Sequence, residues 1–237
     1  NFSAAGTSFG SVLDVNKVFN LAVLVSSGRN KFQGNEIFGD TNSSTIAMIE
    51  LQPKKVLPAI QLGLLRENDA NLGLSGSGAF NGNTGQLTSF IGISESLNMF
   101  GGKFFSSFYL GKSPEASNSQ GMIGSISSIQ SSSFAAGFLK TSVFHLGDEM
   151  LFSIDQPIRV ESGRINMSVP TYRTKDRKVL FNSFGFKLRP SGREINSKIQ
   201  YISSYKKIGL SAILGYKSDP YHIKSMEDYW YTSLGFS

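Results

Sequence analysis

Apolar and polar side chains alternate with a period of two residues in the C-terminal part of this chain. Between 194 and 202, Ile195, Ile199 and Tyr201 lie on one face, and Glu194, Asn196, Lys198 and Gln200 lie on the other. The segments 183–189 and 208–216 repeat the pattern. Side chains alternate across a β-strand, so the pattern predicts consecutive strands.

We expect the polar face of these strands, with its lysines and arginines, to point inward and the apolar face to point outward. This orientation is the reverse of that in a water-soluble sheet. A soluble β-sandwich with its apolar face turned inward is the alternative. Composition favours a lipid-facing barrel, because the chain has 25 glycines, 19 phenylalanines and 8 tyrosines but only 7 prolines. Aromatic residues also cluster toward predicted strand ends, where membrane proteins place them at the lipid interface; these are Tyr201, Tyr205, Tyr216, Tyr229, Trp230 and Tyr231.

The length of 237 residues suits about twelve membrane-crossing strands, since each needs about 9 to 11 residues plus a turn. The predicted fold class is therefore all-β, a transmembrane antiparallel β-barrel of about twelve strands. We place the strands at 45–52, 55–66, 84–93, 98–110, 119–127, 130–142, 148–158, 162–173, 178–189, 192–205, 207–217 and 227–236. Pro157 lacks an N–H donor, so a bulge or a weakened pair is expected beside it.

The alternation assigns side chains to the two faces of the barrel. The lumen-facing set is Asp155, Arg159, Arg164, Lys187, Arg189, Glu194 and Lys198. The lipid-facing set is Phe184, Phe186, Ile195, Ile199, Leu210, Leu214, Leu234 and Phe236. The lumenal cations either pair with carboxylates to fill the pore or line a channel that favours anions. The formal charge of +6 is scattered, and without a binding motif it does not indicate nucleic acid.

The beginning of the chain has a different pattern. Between 9 and 27, apolar residues recur at spacings of three and four, which predicts a helix that ends at Gly28. Its apolar stripe includes Val12, Val15, Phe19 and Val23. We therefore divide the chain into a helix and linker at 1–43 and a barrel at 44–237. The helix either runs through the pore or forms the tail of an upstream passenger.

No residue pattern predicts catalysis, a metal site or a cofactor. Ser8 lies in a "GTS" tripeptide, but neither His145 nor His222 has a context that makes it a general base for Ser8. The chain has no cysteine and no apolar run long enough for a membrane helix. It also opens without a signal-peptide pattern, so an exported barrel is expected to be part of a longer precursor.

Three short motifs resemble the C-terminal barrel of subtilisin-like serine protease autotransporters. The first is "QPIRVESG" (156–163), the second is "PSGREI" (190–195) with Tyr201, and the third is "YKSDPYH" (216–222). The opening "FGSVLDVNKVFNLAV" is similar to a segment near the end of subtilase catalytic domains. The resemblance implies an outer-membrane translocator for an upstream protease-like passenger. Such barrels usually end on an aromatic residue, whereas Phe236 is penultimate here and Ser237 is last.

The expected function is thus to anchor or export an upstream passenger from the bacterial outer membrane. The expected partners are outer-membrane lipid, the passenger, and other envelope or surface proteins. Two alternatives stay open: an anchor or scaffold subunit of a cell-surface assembly, and a narrow porin-like pore.

Overall fold

The computed structural model describes residues 6–30, 42–54, 57–67, 86–117, 122–205 and 208–236. These residues form fifteen strands and one short 3-10 helix, Pro220–His222. The strands are β1 (Gly6–Asp14), β2 (Phe19–Asn30), β3 (Asn42–Pro53), β4 (Ala59–Glu67), β5 (Gln86–Met99), β6 (Gly102–Ser113), β7 (Ala116–Ser117), β8 (Ile123–Ile126), β9 (Ile129–Thr141), β10 (Glu149–Ser162), β11 (Arg164–Arg173), β12 (Val179–Lys187), β13 (Ile195–Tyr205), β14 (Ile208–Ser218) and β15 (Tyr229–Phe236).

Eleven of the strands form one large sheet in the order β1-β2-β3-β4-β5-β6-β9-β10-β13-β14-β15. Every neighbouring pair in it is antiparallel. The other four form a small sheet in the order β12-β11-β8-β7. The all-β antiparallel architecture predicted from the alternation is confirmed.

Within the described residues, β1 and β15 are the two edge strands of the large sheet. Ten antiparallel steps separate them, so they run in the same direction. If β1 and β15 paired directly, their ladder would be parallel. An antiparallel closure would require an odd number of additional strands between them.

The connections at the two ends of the large sheet differ in length. At one end, called the short end, the strands are joined by two to seven residues: 15–18, 54–58, 100–101, 142–148 and 206–207. At the other, the long end, ten to thirty-two residues intervene: 31–41, 68–85, 114–128, 163–194 and 219–228. The small sheet is built from two of these long connections.

The predicted N-terminal helix is wrong. Val12 lies in β1, Val15 in the following turn, and Phe19 and Val23 in β2, and β1 and β2 form a hairpin paired from Gly6↔Gly28 to Asp14↔Asn20. The segment is rich in valine, whose branched side chain favours strands. Asn16 shapes the turn, because its Oδ1 accepts hydrogen bonds from the N–H groups of Val18 at 2.7 Å and Phe19 at 3.1 Å.

The hairpin belongs to the large sheet rather than to a separate unit. β2 pairs with β3 from Phe19↔Pro53 to Asn30↔Asn42, so residues on both sides of the expected division at 43/44 share one ladder. Among the described residues, no helix is long and apolar enough to cross a membrane.

Each of the twelve predicted strand ranges overlaps an observed strand, but three of them pair differently from the expectation. The ranges 119–127, 162–173 and 178–189 correspond to β8, β11 and β12, which leave the large sheet. The ladder between β9 and β10 shifts register between Gln156 and Arg159, so the irregularity expected beside Pro157 is confirmed.

Candidate functional site

The large sheet has one exposed face and one sheltered face, and their polarity is the reverse of that in a soluble protein. On β4, Ile60, Leu62 and Leu64 are about half exposed, whereas the intervening Gln61 is buried. The exposed face continues across the sheet through Val23, Ile49, Ile91, Leu110, Phe152, Ile199, Leu214 and Leu234.

Polar side chains on the sheltered face are hydrogen-bonded to one another. Gln61 Nε2 donates to Glu50 Oε2 at 2.8 Å and to Ser94 Oγ at 3.2 Å. Farther along the sheet, Asn196 Nδ2 donates to Asp155 Oδ2 at 3.0 Å. These bonds offset part of the cost of removing the polar groups from water, since Gln61 Oε1 and Asn196 Oδ1 are buried without a hydrogen-bond partner in the described part of the chain.

A cavity of 910 Å³ lies against the sheltered face. Its lining comes from seven strands, with Met48 on β3 and Lys198 on β13 among the residues farthest apart in the sheet order. The sheet therefore curves around its sheltered face. The cavity wall combines the hydroxyls of Thr88 and Ser131 with the Asp155 carboxylate and the Lys198 ammonium group.

Aromatic rings on the sheltered face lie directly over glycines of the next strand. A Cβ added at Gly63 would meet Phe90 Cζ at 2.1 Å, and one added at Gly92 would meet the Tyr109 ring at 2.4 Å. The same arrangement places Tyr231 over Gly215. The glycines thus make room for rings that cover the polar face.

At the long end, a charged cluster joins β10 to the loop before β13. Glu161 accepts hydrogen bonds from the Arg159 and Arg193 guanidinium groups and, at 2.7 Å, from the Ser132 hydroxyl. Arg193 also donates to the Gln156 side chain. We call Ser132, Gln156, Arg159, Glu161 and Arg193 the Glu161 cluster.

Arg159 connects this cluster to the backbone of the motif loop. Its Nε donates to the Gly192 carbonyl at 2.9 Å and its Nη2 to the Pro190 carbonyl at 3.2 Å. Only 4% of Arg159 is exposed, so its charge depends on Glu161 for compensation.

A second group of contacts, around His222, joins the loop 188–194 to the connection between β14 and β15. His222 Nδ1 accepts the Glu194 N–H at 2.8 Å, and its Nε2 lies 3.0 Å from the Ile158 carbonyl. The Glu194 carboxylate accepts the Tyr221 N–H at 2.6 Å and pairs with Lys217 Nζ at 3.0 Å. Burial raises the pKa of Glu194, but the Lys217 ammonium group and the Tyr221 N–H outweigh it, so the pKa is below its ordinary value.

The loops also meet at Gly192 and Asp219. The Gly192 N–H donates to the His222 carbonyl at 2.7 Å, and a Cβ at Gly192 would lie 2.7 Å from the Lys224 backbone nitrogen. The Asp219 carboxylate accepts the Arg193 N–H at 3.0 Å. The three motifs, which are separate in sequence, therefore lie together in space.

At the short end, Asp148 organises the turn between β9 and β10. Its fully buried carboxylate accepts the N–H groups of Val143, Phe144 and His145 and, at 3.0 Å, the Tyr201 hydroxyl. Burial raises the pKa of Asp148, but these four donors outweigh it and hold the pKa below its ordinary value.

The predicted lumen-facing residues divide into two groups. Asp155 and Lys198 lie on the sheltered face, and Arg159 and Glu194 are buried in the contacts at its long end. Arg164 and Lys187 instead lie exposed in the small sheet, and Arg189 lies exposed in the loop that follows β12. Whether the sheltered face encloses a lumen remains a prediction.

The predicted lipid-facing residues divide in the same way. Ile195, Ile199, Leu210, Leu214, Leu234 and Phe236 lie on the apolar face of the large sheet. Phe184 and Phe186, also about half exposed, lie on β12 of the small sheet. Glu161 and Lys217 are not among the predicted site residues. Nothing in the sequence indicates that Glu161 contacts Arg159 or that Lys217 contacts Glu194.

The contacts of the serine and histidines are not those of a catalytic triad. The Ser8 hydroxyl lies 2.8 Å from that of Ser26 on the neighbouring strand. His145 Nε2 lies 2.8 Å from the Ser203 hydroxyl. The two ring nitrogens of His222 contact the Glu194 N–H and the Ile158 carbonyl. Within the described ranges, no three His, Cys, Asp or Glu residues are grouped to hold a metal ion.

Comparison of the chain with protein-family models, with curated proteins and with solved structures gives no match.

Proposed function

We propose that this chain is an outer-membrane β-barrel that anchors and exports an upstream passenger domain. The observation that carries the proposal is the reversed polarity of the large sheet. Among the described residues, three aliphatic side chains are buried, whereas thirteen polar or charged side chains are buried. A water-soluble protein buries mainly apolar side chains, and it rarely exposes so wide an apolar face.

Hydrocarbon is the environment that fits this arrangement. The exposed strand faces carry isoleucine, leucine, valine and phenylalanine, and the ladder hydrogen bonds satisfy the backbone of the inner strands. The strands of the large sheet contain between 8 and 14 residues, against the 9 to 11 or so that a tilted strand needs to cross a bilayer. Closure of the sheet into a barrel is part of the proposal, since no edge of an open sheet is tolerated in lipid.

The lengths of the connections support an orientation. Bacterial outer-membrane barrels have short turns on the periplasmic side and longer loops outside. We therefore place the short end in the periplasm and the long end, with the Glu161 cluster and the small sheet, on the outer side. Trp230 and Tyr216, whose rings lie 4.8 Å apart near the long end, then fall at the outer interface, where such rings are enriched.

The translocator role is supported by the resemblance to autotransporter barrels. The residues that carry it are those that lock the outer ends of β10, β13 and β14 together. A barrel that passes a polypeptide needs a wall that holds its shape, and this network of charged hydrogen bonds supplies one.

The export test places an epitope-tagged passenger before Asn1, behind a signal peptide, in a Gram-negative bacterium. We expect the epitope to be accessible to protease on intact cells, and the purified chain to change its gel migration on heating. The matched control is a chain truncated after Tyr205, which lacks β14 and β15. A heat-modifiable chain that leaves the passenger inside the cell would overturn the translocator role while keeping the barrel.

The cavity favours a narrow pore as the second candidate. The segment 9–27 contributes β1 and β2 to the sheet wall, so it is not a helix that could fill the lumen. In planar bilayers a pore would give small, stable conductance steps, and Lys198→Glu would shift its selectivity toward cations. Electrically silent insertion of the chain would rule out the pore.

A further inference from the structure

The excess positive charge of the chain lies in one segment. Residues 163–190 contain seven of the 23 lysines and arginines but only one of the 17 acidic residues. The segment therefore carries a formal charge of +6, and the rest of the chain is neutral overall. It comprises β11, the turn 174–178, β12 and the start of the loop that follows, and we call it the basic hairpin.

The seven cations are all exposed. They are Arg164, Arg173, Lys175, Arg177, Lys178, Lys187 and Arg189. In the part of the chain that the structure describes, none of them forms an ion pair within 4.0 Å. Arg164 and Lys187 are direct partners across the ladder, an arrangement of like charges that destabilises a sheet.

On the face of the basic hairpin opposite Arg164 and Lys187, the side chains nearest the junction with β10 are apolar. Ile165 and Met167 on β11 lie beside Phe186 and Phe184 on β12, whose side chains are 52% and 46% exposed. Beyond the register shift near the tip, Tyr172 pairs with Leu180 and both are more than half exposed. The apolar face is partly covered at its base, where Ile165 pairs with the buried Ile126, and it is about half exposed at Phe184, Phe186 and Leu180.

The basic hairpin begins where the large sheet ends. β10 runs to Ser162 and β11 starts at Arg164, with only Gly163 between them. This junction lies at the long end, which the proposed function places at the outer boundary of the hydrocarbon. Cations and aromatic rings at that level meet the phosphates and the upper acyl chains of lipids.

We propose that the basic hairpin binds anionic lipid headgroups at the outer surface of the membrane, an inference that rests on the proposed barrel. The cations contact the phosphates, and the face with Phe184 and Phe186 enters the interfacial layer. An acidic polypeptide would neutralise the cations but would not cover the apolar face. The apolar face favours lipid, because lipid offers phosphate and hydrocarbon at one boundary.

The test uses the full chain refolded into vesicles, with a single environment-sensitive fluorophore on Asn182→Cys. Asn182 is exposed on the apolar face of β12, and the native chain has no cysteine to interfere. Phosphatidylglycerol is titrated into phosphatidylcholine vesicles. We expect a blue shift that saturates with phosphatidylglycerol and is reversed by salt. Inorganic phosphate and poly-glutamate of equal charge should leave the emission unchanged.

Two triple variants provide the matched comparison. Lys175→Gln, Arg177→Gln and Lys178→Gln remove three charges from the hairpin, and Lys17→Gln, Lys103→Gln and Lys140→Gln remove three exposed charges at the short end. The first set should weaken binding by roughly fivefold per charge removed, so the shift should move to a much higher phosphatidylglycerol fraction or be lost, and the second set should not change it. Equal effects of the two sets would overturn the inference, as would a shift with poly-glutamate but not with lipid.

A second fluorophore separates this inference from the proposed function. On Leu214→Cys, a label on the apolar face of the large sheet should be quenched by a lipid-soluble quencher in both kinds of vesicle. If it is quenched while the Asn182 label ignores phosphatidylglycerol, only the lipid-binding inference fails. If it is not quenched, the barrel and the inference fail together.

Discussion

Glu161 is the residue on which the charged cluster at the long end depends. It faces two guanidinium groups, and the Arg159 side chain is only 5% exposed. In Glu161→Gln, a neutral amide leaves Arg159 without its counter-charge, so the free energy of unfolding should fall by about 2 kcal/mol. Urea unfolding of the chain folded in detergent measures this loss.

Glu149→Gln is the control for Glu161→Gln, because Glu149 lies exposed at the other end of β10. It removes the same charge from the same strand and should change the unfolding free energy by less than about 0.5 kcal/mol. Equal losses in the two variants would contradict the role assigned to Glu161.

Asp148 makes the short-end turn sensitive to acid. Its folded-state pKa lies below the unfolded value of about 3.9, so the stability it contributes is present above that value and is lost as the pH falls through the folded pKa. The wild-type chain should therefore lose more stability between pH 5 and pH 2 than Asp148→Asn does. Asp176→Asn, in the exposed turn of the basic hairpin, should follow the wild type. Parallel curves for wild type and Asp148→Asn would contradict this account.

At this scale the sequence predicts which way a side chain faces better than which partner it meets. Asp155 and Lys198 lie on one face as the alternation predicts, because the period of two holds along a regular strand. Arg164 and Lys187 follow the same rule within a hairpin of the small sheet. Alternation carries no information on the sheet to which a strand belongs.

Among the elements, the aromatic and glycine pairs hold neighbouring strands of the large sheet in register. Gly63→Ala places a methyl group 2.1 Å from the present position of the Phe90 ring, so the ring must move. We expect a loss of about 1 to 3 kcal/mol in unfolding free energy, as for other overpacked sites. Gly235→Ala is the control, since its nearest heavy atom would be 3.8 Å away. If Gly63→Ala leaves the unfolding free energy unchanged, the Phe90 ring is free to move away from the added methyl group.

The N-terminal hairpin shows why an element is harder to predict than a face. Val12, Val15, Phe19 and Val23 are spaced as on a helix, yet valines at other positions of the segment break any single stripe. Both strands obtain their stability from pairing, β2 with β3 along twelve residues. That pairing depends on residues far along the chain, which a local pattern does not contain.

For the whole molecule, the sequence predicts the alternation along the strands but neither their number nor their order: about twelve were predicted, and the described residues form fifteen, eleven of them in the large sheet. β8, β11 and β12 resemble barrel strands in pattern, and they leave the large sheet because the connections 114–128 and 163–194 pair with each other. β1 and β2 extend the large sheet at its edge beside β3, and β6 pairs directly with β9 and β10 with β13.

In the proposed barrel, lipid covers the apolar face of the large sheet. Spin labels on Leu214→Cys and Ser153→Cys, on the exposed and sheltered faces respectively, test it in vesicles through collisions with oxygen and with a water-soluble nickel chelate. The account predicts that the Leu214 label collides mainly with oxygen and the Ser153 label mainly with the chelate. A Leu214 label shielded from both reagents, or reached mainly by the chelate, would contradict it.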